Sequence, residues 1–175
     1  MWDEVLQEVD QAAEKALSAP YPEKSDADTH VVDESAIAIP HLNPVTTGDE
    51  IVIVDAVNHA LHEEMRHNDK MIIYGQDVAD GKGGVFTATK GLSTEFGDRR
   101  VFNSPLAEAS IVGTAVGAAV AGLKPVVEIQ FADYIWTAMM QIRNEVATIR
   151  YRSNNSYSCP IVIRTPVGGY IHGGL

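Results

Sequence analysis

Glu108 is the residue in this chain best placed to do chemistry. It ends the run Ser104-Pro105-Leu106-Ala107-Glu108 and is followed by a stretch without charge from Ala109 to Leu123. Carboxylates are almost never fully buried without a partner. An acid at that position either caps the helix that follows or handles protons for something bound. Two further polar groups fall on neighbouring elements: Gln130 at the end of an apolar run and Tyr134 at the start of the next helical pattern. In parallel α/β sheets, ligands bind beyond the carboxyl ends of the strands. Gln130, Tyr134 and the end of the 71–74 strand can therefore share a rim with Glu108. An acid, an amide and an aromatic ring there suit a flat, nitrogen-rich heterocycle.

Other motifs carry less. Residues 79–85, Ala-Asp-Gly-Lys-Gly-Gly-Val, form a glycine-rich loop. It lacks the Gly-Lys-Ser/Thr ending of a P-loop and the Gly-x-Gly-x-x-Gly of a dinucleotide turn, so it reads as a turn. His59 and His62 lie three apart without the His-Glu-x-x-His arrangement of a zinc site, and read as a solvated helix face. Cys159 is the only cysteine, which excludes an internal disulfide and cysteine-rich metal sites. Before Pro160 it reads as a small buried hydrophobe. No Gly-x-Ser-x-Gly elbow anchors a hydrolase triad.

These residues need a scaffold. Trp2, Val5, Leu6, Val9, Ala13, Ala16 and Leu17 have helical spacing with an acidic outer face, and Pro20 and Pro22 stop that helix. From Tyr21 to Thr47 the chain is rich in Pro, Asp, Ser and Thr and reads as a linker or extended arm. Two units follow: residues 1–48, a helix plus acidic linker, and a compact part over 49–175. In the latter, the spacing predicts a helix from Val54 to Met65, a strand at 71–74, a short helix over Thr89–Phe96 and a brief strand at Val101-Phe102. Ser104 as N-cap and Pro105 at the first helical position predict a helix to about Ala121, ended by Gly122. Glu108 then falls at the fourth helical position, one past the capping-box place. A strand over Pro125–Phe131, a long helix over Tyr134–Tyr151 and a strand at 161–163 complete the pattern. The fold class is α/β, a mostly parallel sheet with helices on both faces. Gly113, Gly117 and Ala121 make a stripe of small residues. It fits either tight helix–sheet packing or a helix–helix contact between subunits.

Charge is unevenly spread. The net charge is -11, of which residues 1–50 carry -10, so the compact part is nearly neutral. Nucleic acid, which requires a basic stripe, is not an expected partner. Residues 2–17 carry five acids and no basic leader, and no apolar run reaches membrane-spanning length. The expected setting is the cytoplasm of a bacterium or a mitochondrial matrix, without membrane contact.

Tyr74-Gly75-Gln76-Asp77-Val78, Val101-Phe102-Asn103-Ser104-Pro105-Leu106-Ala107-Glu108, Glu128-Ile129-Gln130-Phe131-Ala132-Asp133-Tyr134 and Arg150-Tyr151-Arg152-Ser153 resemble the β-subunit of thiamine-diphosphate-dependent 2-oxo acid dehydrogenases. The phrasing is closest to the branched-chain type, with pyruvate and acetoin enzymes near. The likeness runs from about Ile51 to Leu175 and implies the pyrimidine-binding domain of such an enzyme, truncated at its C-terminal end. Residues 1–30, above all Ala16-Leu17-Ser18-Ala19-Pro20-Tyr21-Pro22, resemble the C-terminal tail of the α-subunit, which implies a fused α–β polypeptide.

The resemblance implies that Glu108 hydrogen-bonds a pyrimidine ring nitrogen of thiamine diphosphate and so activates the cofactor for attack on a 2-oxo acid. Leu106, Gln130 and Tyr134 would line the same pocket, with Tyr134 against the aminopyrimidine. Backbone carbonyls of Pro160, Val162 and Ile163 match positions that help to hold potassium in the family. The diphosphate and magnesium belong to an α-type domain, so these 175 residues alone are expected to be inactive. The implied partners are that α-type domain, a lipoyl acyltransferase and a second copy through the pyrimidine domain. The family's active-site histidine falls past Leu175, and His172 does not match it. Where the family often has Glu, this chain has Gln76, which cannot relay protons. A transketolase-like or 1-deoxyxylulose-phosphate synthase-like pyrimidine domain, or a non-catalytic assembly domain, are the alternatives.

Overall fold

In the computed structural model, residues 1–33, 35 and 48–168 are described. The remainder of the linker and the segment with His172 lie outside the described residues. Four parallel strands, β1 (Met71–Gly75), β2 (Val101–Asn103), β3 (Lys124–Glu128) and β4 (Val162–Arg164), form one sheet in the order β2-β1-β3-β4. Register aligns Ile73 with Val101 and Val126, and Tyr74 with Phe102 and Val127. Side chains alternate across a strand, so the two sets face opposite layers. Met71, Ile73, Val101 and Val126 pack with Leu61, Met65 and Leu92. Those come from α2 (Ile53–His67) and α3 (Leu92–Phe96). Tyr74 and Val127 pack with Ile111 and Ala115 of α4 (Glu108–Val120). Tyr74 also stacks on Phe102, with ring centroids 5.0 Å apart. The sheet is covered on both faces, as the α/β pattern requires.

α1 (Trp2–Ser18) is the expected amphipathic helix, and none of its residues is buried. The arm beyond it is not wholly extended, since Lys24–Asp28 make a 3₁₀ turn. Asp33 of the arm pairs with Arg150 at 2.9 Å.

Three local expectations are corrected. α4 begins at Glu108, with Ala107 as N-cap, rather than at Pro105. The Ser104 N–H donates to the Gly75 carbonyl at 2.8 Å, so strand pairing holds the chain extended past β2. The Ser104 hydroxyl turns to the Pro105 carbonyl instead of capping a helix. The long helix expected over Tyr134–Tyr151 is divided into a 3₁₀ segment (Ala132–Ala138), α5 (Met139–Gln141), a π turn (Ile142–Val146) and α6 (Ile149–Arg152). Thr137 and Thr148 hydroxyls bond the carbonyls of Tyr134 and Asn144 near the breaks, a competition that disturbs helical ladders. The small-residue stripe does not press on the sheet. A Cβ on Gly113 would meet only Gln141 Cγ, at 3.5 Å, and one on Gly117 would meet nothing within 4 Å. The sheet-facing side of α4 is Ile111, Val112, Ala115, Val116 and Ala119. Its C-terminus is as expected, with Gly122 at φ +96° just beyond Ala121. No helix among the described residues is long and apolar enough to cross a membrane.

Two further polar side chains tie this frame together. Arg100 donates to the carbonyls of Met65, Asn68 and Met71 at 3.0, 2.6 and 3.1 Å, bracing the end of α2 against the start of β1. Asp80 accepts from the backbone amides of Gly91 and Thr94 at 2.6 and 2.7 Å and from the Ser93 hydroxyl at 2.9 Å. This remote cap delays α3 to Leu92, although the sequence suggests a start at Thr89. The Thr94 hydroxyl, foremost among these donors, brings the Asp80 carboxyl down to about 2.

Replacing Arg100 by Ala removes three charge-assisted bonds, two to carbonyls at the end of α2 and one to the first carbonyl of β1. It should cost on the order of 2 kcal/mol, read as a lower denaturant midpoint at unchanged m-value. Asp80 stabilises fully above its unfolded value of 3.8, and that contribution is lost as pH falls through about 2. The stability gap between the wild type and Asp80→Asn should therefore be constant above about pH 5 and close below pH 4. Asp80 is exposed, so screening keeps the gap smaller than the shift alone implies.

Candidate functional site

β1 runs directly into Gln76, which is only 3% exposed beside the ends of its two neighbouring strands. Gly75 permits this close approach. A Cβ there would lie 2.5 Å from the Glu128 carbonyl oxygen. The Gln76 Nε2 donates to Glu108 Oε1 at 3.1 Å. Its own Oε1 is buried and takes no donor among the described residues. Glu108 is the first residue of α4 and is half-buried. The Thr137 hydroxyl lies 3.0 Å from Glu108 Oε2 and 2.8 Å from the Tyr134 carbonyl. The carboxyl is held below the ordinary value of 4.5, first by its own backbone N–H and then by Gln76 and Thr137, against the opposing effect of burial. Helix-capping and a poised acid are thus both features of Glu108: its carboxylate meets a free helix-end amide and is also held by side chains from two other elements.

The other expected residues fall at the same end of the sheet with different contacts. Gln130 follows β3 and directs Nε2 toward Asp77 Oδ2 at 3.4 Å. Asp77 sits in the left-handed region at φ +57°, turning the chain just after Gln76. Tyr134 packs into the cluster of Val112, Ile129 and Ala138, edge-on to Phe131 at 5.7 Å. Leu106 lies in the turn before α4 and is 81% exposed. Glu108, Gln76 and Thr137 are brought into contact; Gln130 pairs with Asp77, and Leu106 stands apart from both pairs. Pro160 is the centre of a tight turn in which the Ile161 N–H donates to the Cys159 carbonyl at 2.9 Å. Val162 and Ile163 pair with Val126 and Val127 in the sheet. Among the described residues no group of three or more His, Cys, Asp or Glu side chains is placed to hold a metal. His62 bonds Glu95 at 2.8 Å, linking α2 to α3, where the sequence suggests a solvated face.

The family model for the transketolase pyrimidine-binding domain matches residues 49–174. The chain belongs to that family. It is 52% identical over 122 residues to 2-oxoisovalerate dehydrogenase subunit beta of Bacillus subtilis, covering 70% of this chain and 37% of that protein. It is 47% identical over 118 residues to the pyruvate dehydrogenase E1 component subunit beta of Mycoplasma pneumoniae, covering 67% and 36%. Against 2-oxoisovalerate dehydrogenase subunit beta 2, mitochondrial, of Arabidopsis thaliana, it is 45% identical over 133 residues, covering 75% and 37%. The chain therefore spans little more than a third of the length of these relatives.

In this pyrimidine-binding domain the rim has a support that sequence reasoning missed. Glu128 ends β3 and is 1% exposed. It forms an ion pair with Arg164 at the end of β4. Its Oε1 also accepts from the Val85 N–H at 2.9 Å, which fixes the glycine-rich loop to the sheet. Gly84, at φ +72°, brings the loop in close: a Cβ there would lie 2.6 Å from Thr89 Oγ1. Burial lowers the Arg164 guanidinium below its usual value. The available signal was an acid and a base, each closing an otherwise apolar strand run: Val126-Val127-Glu128 and Ile161-Val162-Ile163-Arg164.

Removing one partner of a buried pair leaves the other charged and unpaired. Glu128→Leu should cost about 3–5 kcal/mol, and the paired change Glu128→Leu with Arg164→Met should recover most of it. Urea unfolding of the two variants beside the wild type checks this.

Proposed function

We propose that this domain supplies the pyrimidine-facing half of the active site of a thiamine-diphosphate-dependent 2-oxo acid dehydrogenase. The observation that carries the proposal is Glu108, an acid at the C-terminal rim whose carboxylate is held by its own helix-end N–H and by the side chains of Gln76 and Thr137. The residues present fit an aminopyrimidine. Glu108 is an acceptor for a ring N–H. Gln76 Oε1 is a second buried acceptor with no donor among the described residues. Phe131 and Tyr134 offer aromatic surface. The two acceptors, Glu108 and Gln76 Oε1, suit a ligand that carries N–H donors.

Thiamine diphosphate, when bound, supplies the electron sink that lets carbon dioxide leave a 2-oxo acid. The part of this chain is positional and electrostatic. Glu108, ionised through neutral pH, would favour a proton on a ring nitrogen of the bound pyrimidine, and Thr137 and Gln76 keep that carboxylate aimed. Tyr134, anchored in the core beside Phe131, and Gln130, tied to Asp77, would border the ring, with Leu106 covering it from the α4 turn. A separate α-type domain would hold the diphosphate and magnesium, and a lipoyl acyltransferase would take the acyl group. Carbonyls of Pro160, Val162 and Ile163 would contribute to a potassium site. Like copies would pair through this domain. The 52% identity to an oxoisovalerate subunit supports a branched-chain 2-oxo acid ahead of pyruvate.

Glu108→Gln in the full-length enzyme, assembled with its partners, should lower kcat for decarboxylation by at least about 100-fold while leaving the oligomer intact by light scattering. Unchanged decarboxylation would favour an assembly role for the domain.

A further inference from the structure

The Gln76 amide has a fixed polarity. An ionised carboxylate only accepts hydrogen bonds, so the atom 3.1 Å from Glu108 Oε1 is the amide nitrogen. A glutamine has no proton that it gives up or takes in the working pH range. We propose that Gln76 is a positioning residue for Glu108, one that locks it as a pure acceptor and prevents a shared-proton state at this end of the sheet. This deepens the functional proposal and rests on it for its relevance to catalysis, although the contact itself is independent of any cofactor.

Three observations support the assignment. Gln76 is 3% exposed, so its amide cannot turn to solvent to satisfy itself. It is delivered by β1, an inner strand paired on both sides, directly after Gly75, where a Cβ would collide with the Glu128 carbonyl. Glu108 has no ionisable hydrogen-bond partner among the described residues; its side-chain partners are Gln76 and Thr137. The other titratable groups on elements packed around it are engaged elsewhere or exposed. Asp77 faces Gln130, Glu128 pairs with Arg164, and Glu145 pairs with Arg152. Asp133 and Arg143 are exposed, and Tyr134 is packed into the core cluster. A carboxyl at position 76 would therefore be the one ionisable group in direct contact with Glu108. Two carboxyls at that separation titrate as a pair, one of them strongly raised.

The test is carbon-13 NMR of side-chain carboxyls in the full chain, with the Glu108 signal assigned by its loss in Glu108→Gln. Wild-type Glu108 should titrate in a single step below the ordinary carboxylate range. In Gln76→Glu the pair should titrate in two steps, the upper raised by about one unit or more. In Gln76→Met the single Glu108 step should move up toward the ordinary value. A Glu108 titration identical in all three proteins would overturn the proposal. Should either variant fail to fold, the wild-type protein decides alone: the Gln76 side-chain amide protons should shift along the Glu108 titration. Amide protons that ignore it would also overturn the proposal. In the assembled enzyme, Gln76→Glu should carry its raised step into the acid limb of kcat/KM, which a purely structural defect would lower without shifting. A Glu108→Gln enzyme that still decarboxylates would remove the functional reading and leave the positioning contact standing.

Discussion

A carboxylate that is 1% exposed needs partners, and the pyrimidine-binding domain is organised around providing them for Glu128. Arg164 comes from the neighbouring strand and the Val85 N–H from the glycine-rich loop. That one side chain therefore sets the end of β4 and the approach of the loop at once. Because Glu128 also stands in register with Gly75, its backbone defines the space through which β1 delivers Gln76. The positions of the groups at the rim follow from a buried charge that takes no part in the proposed chemistry.

The rim itself is assembled by parallel pairing. Each strand points its C-terminus the same way, and the chain leaves β1, β2 and β3 with Gln76, the Ser104–Glu108 turn and Gln130 respectively. α4 starts immediately afterwards, so the free amide at its end and the carboxylate of its first residue coincide. The irregular segment after β3 matters for the same reason. Its 3₁₀ path places the Thr137 oxygen between Glu108 and the Tyr134 carbonyl.

Much of this was legible in the chain. Strand and helix alternation identified the parallel α/β sheet, and Glu108, Gln130 and Tyr134 all emerge at its C-terminal end. Two kinds of information were hidden. Capping rules placed Glu108 at a fourth helical position, because Ser104 and Pro105 look like a helix start; the strand pairing of Ser104 with Gly75 overrides that local preference. Periodicity over Tyr134–Tyr151 likewise cannot register hydroxyls that compete for backbone carbonyls. The Glu128–Arg164 pair was invisible for another reason. Its members are 36 residues apart, and only the order β1-β3-β4 makes them neighbours.

Arg100 braces the end of the sheet where the strands begin, the end opposite the rim. One contribution to stability thus sits at the pole of the layer opposite the reactive rim, beside the larger one from Glu128 and Arg164 at the rim itself. A lineage could tune thermal tolerance by substitutions around the α2–β1 junction without disturbing the acceptor geometry at the far end. Conversely, changes among the rim side chains would leave the Arg100 contacts at the far end in place.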